Sequence, residues 1–316
     1  MSRTLLAAVA ALAVAGCARD NPGFRLDACV APPAGGAPAD APPAAAAALR
    51  VASINMWGIS LVSQHIGERF AALAERLGAD TTIDVVGLQE VWDGEARTGL
   101  LAALRDAFPH QVDFHGEHGR SGLALLSRRP FVDAPRFRPF TATGVWWKPW
   151  NGEWFGGKGV GAARVALGDG SAVWVAVTHL HACYADGAPH ACDANDEFAV
   201  FRRSQIGEVR AFVNELAGDE PAVVLGDFNF TPRSDYFRDL RRGRDGGVFD
   251  PGWLPVPEPH APSARIDHIW LRPGRNESWL PLQPSAVVYA EPVAIEGGAT
   301  QVPLSDHCAI AATVGR

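Results

Sequence analysis

Ala222-Val223-Val224-Leu225-Gly226-Asp227-Phe228-Asn229 sets a short apolar run directly against a carboxylate and an amide, with a glycine at the corner. A run of this length closed by turn-forming residues reads as a buried strand, Ala222 to Asp227. The pattern recurs along the chain: Leu49 to Asn55, Val85 to Glu90 and Ala172 to Leu180 are apolar runs that carry Asn55, Glu90 and His179 at their ends. In an α/β sheet, side chains at the carboxyl ends of strands face solvent and ligand. Four further runs read as strands: Leu123 to Ser127, Val160 to Leu167, Ile266 to Leu271 and Cys308 to Val314. Helical periodicity covers Gln64 to Leu77, Glu95 to Phe108 and Glu197 to Leu216. Asp306 and His307 differ from the other polar residues because they precede their strand.

The chain has 316 residues, of which 47% are hydrophobic and 20% charged, enough apolar material for a large core. Its 33 Gly and 24 Pro imply many turns between short elements, as in a strand-rich α/β protein. The net charge of −7 repels nucleic-acid backbones, which argues against nucleic acid as the partner. The first residues read as an export signal: Arg3 is followed by an apolar run, Leu5 to Ala15, too short to span a bilayer. Val14-Ala15-Gly16-Cys17 resembles a bacterial lipobox, making 1–16 a signal peptide and Cys17 a lipidated N-terminus. The alternative is an ordinary secretory signal that contains a cysteine. Ala31 to Ala48 is almost wholly Ala, Pro and Gly, so 17–48 reads as a tether and 49–316 as the folded domain. The expected location is an exported, membrane-anchored lipoprotein, periplasmic or at the cell surface.

Cys183 and Cys192 lie close together in an exported chain, and a local disulfide is the expected pairing. The repeated His181-Ala182-Cys183 and His190-Ala191-Cys192 leaves a zinc clip as the alternative. Cys308 is read as a buried structural thiol whose side chain points away from that of His307. Cys29 has no evident partner.

Asn55, Glu90, Asp227, Asn229 and Asp306 all carry side-chain oxygen, and each abuts an apolar run. A carboxylate driven against a core needs compensation, and several converging on one site need a cation. Oxygen donors without cysteine suit Mg²⁺, with Mn²⁺ or Ca²⁺ as the other hard candidates. His179 and His307 can move protons near neutral pH. Cation plus two imidazoles is a suitable kit for hydrolysing a phosphodiester. Singly these residues are weak signals, since a strand-end Asn or a Gly-Asp-Phe-Asn turn is more often a cap or an Asx-turn.

Their order carries more. Ile54-Asn55-Met56-Trp57-Gly58, Gly87-Leu88-Gln89-Glu90-Val91, Ser121-Gly122-Leu123, Thr178-His179-Leu180-His181, Gly226-Asp227-Phe228-Asn229, Arg265-Ile266-Asp267 and Ser305-Asp306-His307 span nearly all of 49–314. In this order they resemble the endonuclease/exonuclease/phosphatase superfamily, which includes deoxyribonuclease I, apurinic endonucleases and inositol-polyphosphate 5-phosphatases. Asn55-Met56-Trp57-Gly58-Ile59, Trp154-Phe155-Gly156-Gly157-Lys158-Gly159 and the helix with Arg202, Gln205 and Glu208 are similar to neutral sphingomyelinases in particular. Two positions depart from that group: Glu153 stands where many members have Asp, and His268 where Tyr is usual.

The resemblance implies a DNase I-like four-layer α/β sandwich, two packed mixed, mostly antiparallel sheets flanked by helices. It implies Mg²⁺ held by Asn55, Glu90 and Asp306. His307 would be the general base, oriented by Asp267, while Asp227 and Asn229 position water and phosphate. His179 would touch the phosphoryl oxygens or assist the leaving group, and Lys158, after a glycine pair, would approach the phosphate. The implied reaction releases phosphocholine from sphingomyelin, a membrane phospholipid. Trp146, Trp147, Trp150, Trp154 and Phe155 sit in one Gly- and Pro-containing stretch and read as an interfacial anchor, with a packed aromatic lid as the alternative. The rival functions are a secreted nuclease, an inositol-phosphate phosphatase, and a non-catalytic binding module on a lipid tether.

Overall fold

The structure is a computed structural model that describes residues 29, 47–60, 62–116, 119–144, 157–183, 193, 197–244, 249–257, 265–276 and 279–316. In chain order its elements are β1 (Ala48–Asn55), α1 (Ile66–Ala79), β2 (Val85–Gln89), α2 (Gly94–Ala103), β3 (His110–Gly116), β4 (Gly119–Ser127), β5 (Arg136–Pro139) and β6 (Gly159–Ala166). There follow β7 (Ala172–His179), α3 (Ala199–Ala217), β8 (Ala222–Asp227), α4 (Asp235–Arg241), β9 (Leu254–Pro255), β10 (Asp267–Arg272), β11 (Leu280–Pro281) and β12 (Ala286–Val287). The last are β13 (Val293–Ile295), β14 (Thr300–Val302) and β15 (Ile310–Gly315).

Two mixed sheets carry the fold. One runs β11-β15-β1-β2-β4-β3 with β12 also on β15, and the other runs β5-β6-β7-β8-β10-β9. Each holds one parallel pair, β1 with β2 and β7 with β8, and α1 and α3 are the crossovers those parallel pairs require. The remaining pairings are antiparallel.

Side-chain alternation sorts the apolar residues into three cores. Val51, Val85, Leu125, Val175, Val177, Leu225, Ile269 and Val314 point inward and pack sheet on sheet. Their neighbours Ala52, Val86, Leu126 and Ala311 point outward under Phe70, Leu73 and Leu77 of α1 and Leu100 of α2. On the other flank Ala176, Val224 and Trp270 lie under Ile206, Val209 and Val213 of α3 and Phe237 of α4. Strands buried on both faces lose the apolar–polar alternation, which is why they read as continuous apolar runs. The expected helix–sheet–sheet–helix sandwich is what forms.

The sheets present one common edge. β1, β2, β7 and β8 end there, at or next to Asn55, Glu90, His179 and Asp227. β10 runs antiparallel to β8, pairing Asp267 with Asp227, so its first residue belongs to the same edge. β15 runs antiparallel to β1, so Asp306 and His307, which precede it, arrive there too. Gly226 allows the close approach: a Cβ there would lie 2.1 Å from the Thr178 carbonyl oxygen.

Two cysteine expectations are corrected. Cys308 is disulfide-bonded to Cys29, with the Cα atoms 5.3 Å apart, and is neither a free thiol nor paired locally. The strand begins at Ile310, so the alternation used to aim the Cys308 side chain does not apply to it. Cys29, within the segment 17–48 read as a tether, is thus joined to the folded domain. Cys183 is also disulfide-bonded, which removes its thiolate from a zinc clip, while Cys192 lies outside the described residues. The ring of His181 is stacked on Phe198 and Phe201 instead.

Candidate active site

Asn55 closes β1 with its Oδ1 accepting the Trp57 N–H at 2.9 Å. That turn aims its Nδ2 at two carboxylates, Glu90 Oε1 and Asp227 Oδ2, each at 3.0 Å. Glu90 is buried, and its Oε2 has no hydrogen-bond partner among the described residues. Burial, then the charge of Asp306, raises the Glu90 carboxyl above its ordinary range. Burial likewise pushes Asp227 up to about 7, with Asp267 and Glu90 adding to the shift against the pull of His307. Oδ1 of Asp227 accepts the Asn229 N–H at 2.9 Å, and Nδ2 of Asn229 donates to the Leu180 carbonyl at 3.2 Å.

His307 Nδ1 lies 2.7 Å from Asp267 Oδ2, forming the carboxylate–imidazole pair that the resemblance implied. Its Nε2 faces inward, 3.8 Å from Asp227 Oδ2 and 4.0 Å from Asp306 Oδ1. Burial alone would lower the imidazole, but Asp267, Asp306 and Asp227 together lift it well above 6.5. His179 is the opposite case: burial first, then the Lys158 charge, hold it well below that value. Lys158 Nζ is 3.1 Å from His179 Nε2 and donates to the Leu180 carbonyl at 3.0 Å. Lys158 is itself buried, so it is set behind His179 rather than standing alone in a glycine loop. His179 Nε2 is in turn 3.5 Å from Asp227 Oδ2 and 3.9 Å from Glu90 Oε1.

Three of the six described non-glycine residues with left-handed φ lie at the same edge. Trp57, Glu90 and Asn229 adopt left-handed φ values of 43°, 55° and 52°, each costing on the order of 1–3 kcal/mol. Such strain persists only where the surroundings over-determine the conformation.

The donor set fits a divalent cation. Glu90, Asp227 and His307 offer atoms all within 4.8 Å of one another. Two buried carboxylates that stay ionised side by side need positive charge between them. The expected set was Asn55, Glu90 and Asp306. Glu90 is common to both; Asp227 joins it as the second carboxylate, and His307 Nε2 stands beside the pair as the proton acceptor. Asn55 hydrogen-bonds both carboxylates through its amide nitrogen, and Asp306 lies against Ser305 Oγ, 3.3 Å away.

Outside this cluster, α3 braces the loops around it. Gln205 accepts the His181 N–H at 2.7 Å and donates to the Ala142 carbonyl at 2.7 Å, and Glu208 accepts the Thr141 N–H at 2.8 Å. Sequence reasoning passed over Arg69, a fully buried guanidinium among Phe70, Leu73 and Leu77 on the inner face of α1. A single arginine on an otherwise apolar helix face was its signal. Trp146, Trp147, Trp150, Trp154 and Phe155, together with Cys17, lie outside the described residues.

Two packed mixed sheets with a carboxylate–histidine cluster at their shared edge define a DNase I-like α/β sandwich. The chain belongs to the Endonuclease/Exonuclease/phosphatase family, whose model matches residues 52–307. It is 31% identical over 187 residues to inositol phosphosphingolipids phospholipase C of Schizosaccharomyces pombe, covering 59% of this chain and 42% of that one. It is 30% identical over 186 residues to sphingomyelin phosphodiesterase 2 of Rattus norvegicus, covering 58% and 42%. The match therefore spans about two-fifths of the length of these relatives. The crystal structure of sphingomyelinase C from Streptomyces griseocarneus superposes with a TM-score of 0.64 at 21% identity, over 84% of this chain and 99% of that one, a likeness of fold.

Proposed function

We propose that the chain is a Mg²⁺-dependent phosphodiesterase that cleaves the head group from a membrane phospholipid, sphingomyelin giving ceramide and phosphocholine. The observation that carries this reading is the convergence of the His307–Asp267 pair on the Glu90–Asp227 carboxylates at one strand edge. Both relatives above are named for cleavage of phosphosphingolipids, which supports a sphingolipid over a nucleic acid, as does the net charge of −7.

The chain's own groups divide the work. His307 Nε2 takes a proton from the attacking water, while Asp267 holds Nδ1 and stabilises the imidazolium that forms. Asp227 and Asn229 orient the water and the phosphate. As the new P–O bond forms in line, the bond to the ceramide oxygen breaks, and the Lys158–His179 pair supplies that oxygen with a proton. Glu90 and Asp227 would hold a divalent cation, whose charge would offset that developing on the phosphoryl oxygens and would counter the carboxylate field that keeps His307 protonated.

Export as a lipoprotein through Cys17 belongs to the same reading, and so does interfacial binding by Trp146, Trp147, Trp150, Trp154 and Phe155. The disulfide-bonded state of Cys29, Cys308 and Cys183 supports an oxidising compartment, periplasmic or at the cell surface. The test is parallel assay of sphingomyelin, an inositol phosphosphingolipid, phosphatidylcholine and plasmid DNA, with and without EDTA. Phosphocholine release that needs Mg²⁺ is expected. DNA cleavage without lipid turnover would overturn the reading.

A further inference from the structure

Arg69 is 0% exposed, yet among the described residues no carboxylate hydrogen-bonds it. Its guanidinium is spent on main-chain carbonyls. Nε donates to Gln64 O at 2.8 Å, Nη1 to Met56 O at 2.7 Å and to Leu304 O at 3.0 Å, and Nη2 to Trp57 O at 2.8 Å. These carbonyls belong to segments far apart in the chain. Met56 and Trp57 directly follow Asn55, and Leu304 directly precedes Ser305-Asp306-His307. One side chain therefore ties the loop that places Asn55 to the loop that places Asp306 and His307.

The arrangement is costly in isolation. Burying a cation without a paired anion is unfavourable unless its hydrogen bonds are met and opposite charge lies near. Burial draws the guanidinium down to about 10, against the pull of Asp306 and Glu90, the two carboxylates of the site that act on it most. The guanidinium also lies over the Trp57 ring, 5.3 Å from its centroid. A planar fork whose donors reach both loops holds a geometry that a single ammonium cannot reproduce.

We propose that Arg69 is a positioning residue for the metal site: by clamping the Met56–Trp57 and Leu304 carbonyls it holds the Asn55 and Asp306–His307 loops in register around Glu90. The inference rests on reading this edge as a divalent-cation site. It adds a residue outside the ligand set whose loss loosens that site, as outer partners of metal ligands do.

Another buried arginine provides the control. Arg210 is 2% exposed and also spends its guanidinium on carbonyls, those of Asp239, Arg242 and Pro251, with Asp250 beside it. It braces α3 and touches no residue of the site. Mg²⁺ binding is measured by titration calorimetry without substrate, alongside thermal unfolding with and without Mg²⁺, for the full chain and for Arg69→Lys and Arg210→Lys. Both variants are expected to melt below the wild type. Only Arg69→Lys is expected to bind Mg²⁺ roughly 10–100-fold more weakly and to show less stabilisation by Mg²⁺. If Arg69→Lys does not fold, Arg69→Gln, which removes the buried charge, carries the same expectation. Wild-type Mg²⁺ affinity in a folded Arg69 variant, or an equal loss in Arg210→Lys, would overturn the proposal. Failure of the wild type to bind Mg²⁺ would overturn the metal reading itself, and the role of Arg69 with it.

Discussion

His307 and Asp267 meet through one 2.7 Å contact, and that contact sets both the tautomer and the proton affinity of the imidazole. Asp267 is the strongest of the charges that lift His307 above 6.5. Asp267→Asn keeps the shape and removes the charge, so hydrolysis is expected to slow by about 10²–10⁴-fold with KM little altered. The base must be unprotonated to act, and losing a carboxylate that favours the protonated ring lowers its pKa. The acid limb of the pH–rate profile should therefore move to lower pH, and an unmoved limb would show that Asp267 does not set this pKa. His268 next door yields a stability prediction of defined sign. Burial and then the Arg265 charge hold it at about 3, and its Nε2 lies 2.8 Å from the Phe230 carbonyl. Unfolded, the ring takes a proton near 6.5. Between those values the unfolded chain binds more protons, so stability is full above 6.5 and is lost as pH falls, by on the order of a few kcal/mol. Denaturant midpoints taken from pH 7 to 4 should drop further for the wild type than for His268→Gln, the difference isolating this ring from the other groups that titrate in the same range; equal slopes would refute the assignment.

At the scale of elements, the strands that carry Asn55, Glu90, His179 and Asp227 were legible because each is a long apolar run buried on both faces. β3, β5 and α4 were not. β3 is largely half-exposed, with Phe114 its one buried side chain, and β5 is a four-residue edge strand with no buried residue. α4 has seven residues, too few for a clear period. The site's composition was legible from residue type and order, but two of its contacts were not. Arg69 looks like one more charged helix residue until the fold shows its face of α1, and Lys158 looks like a phosphate loop until its Nζ is found against His179. The start of α2 shows how local chemistry supports the site. Asp93 caps it, accepting the Ala96 N–H at 2.9 Å and the Ser60 hydroxyl at 2.8 Å, three residues beyond Glu90. Asp93→Ala is expected to cost about 1 kcal/mol in chemical denaturation. A change below about 0.3 kcal/mol would mean the cap adds nothing to water's own capping of the helix.

Across the whole molecule, the covalent link with the longest span is Cys29–Cys308, with a sequence separation of 279. No spacing rule could have found it, since pairing over such a distance depends on β15 lying beside β1, which brings the chain's end back to its beginning. The bond has two consequences of different kind. It restricts the unfolded chain, and it fixes the segment before β1 one residue from His307. The first acts on stability: closing so long a loop is expected to contribute about 2–4 kcal/mol. Cys29→Ser/Cys308→Ser should therefore melt several degrees below the wild type under non-reducing conditions, and a reductant should lower the wild type toward the variant. The second acts on the site. If the bond steadies the Ser305-Asp306-His307 loop from outside as Arg69 does from within, the double variant should lose Mg²⁺ affinity as well as stability. Unchanged Mg²⁺ affinity with a lowered melting temperature would restrict the bond to the first role. An unchanged melting temperature would remove the first role and leave the second to be decided by the Mg²⁺ affinity alone.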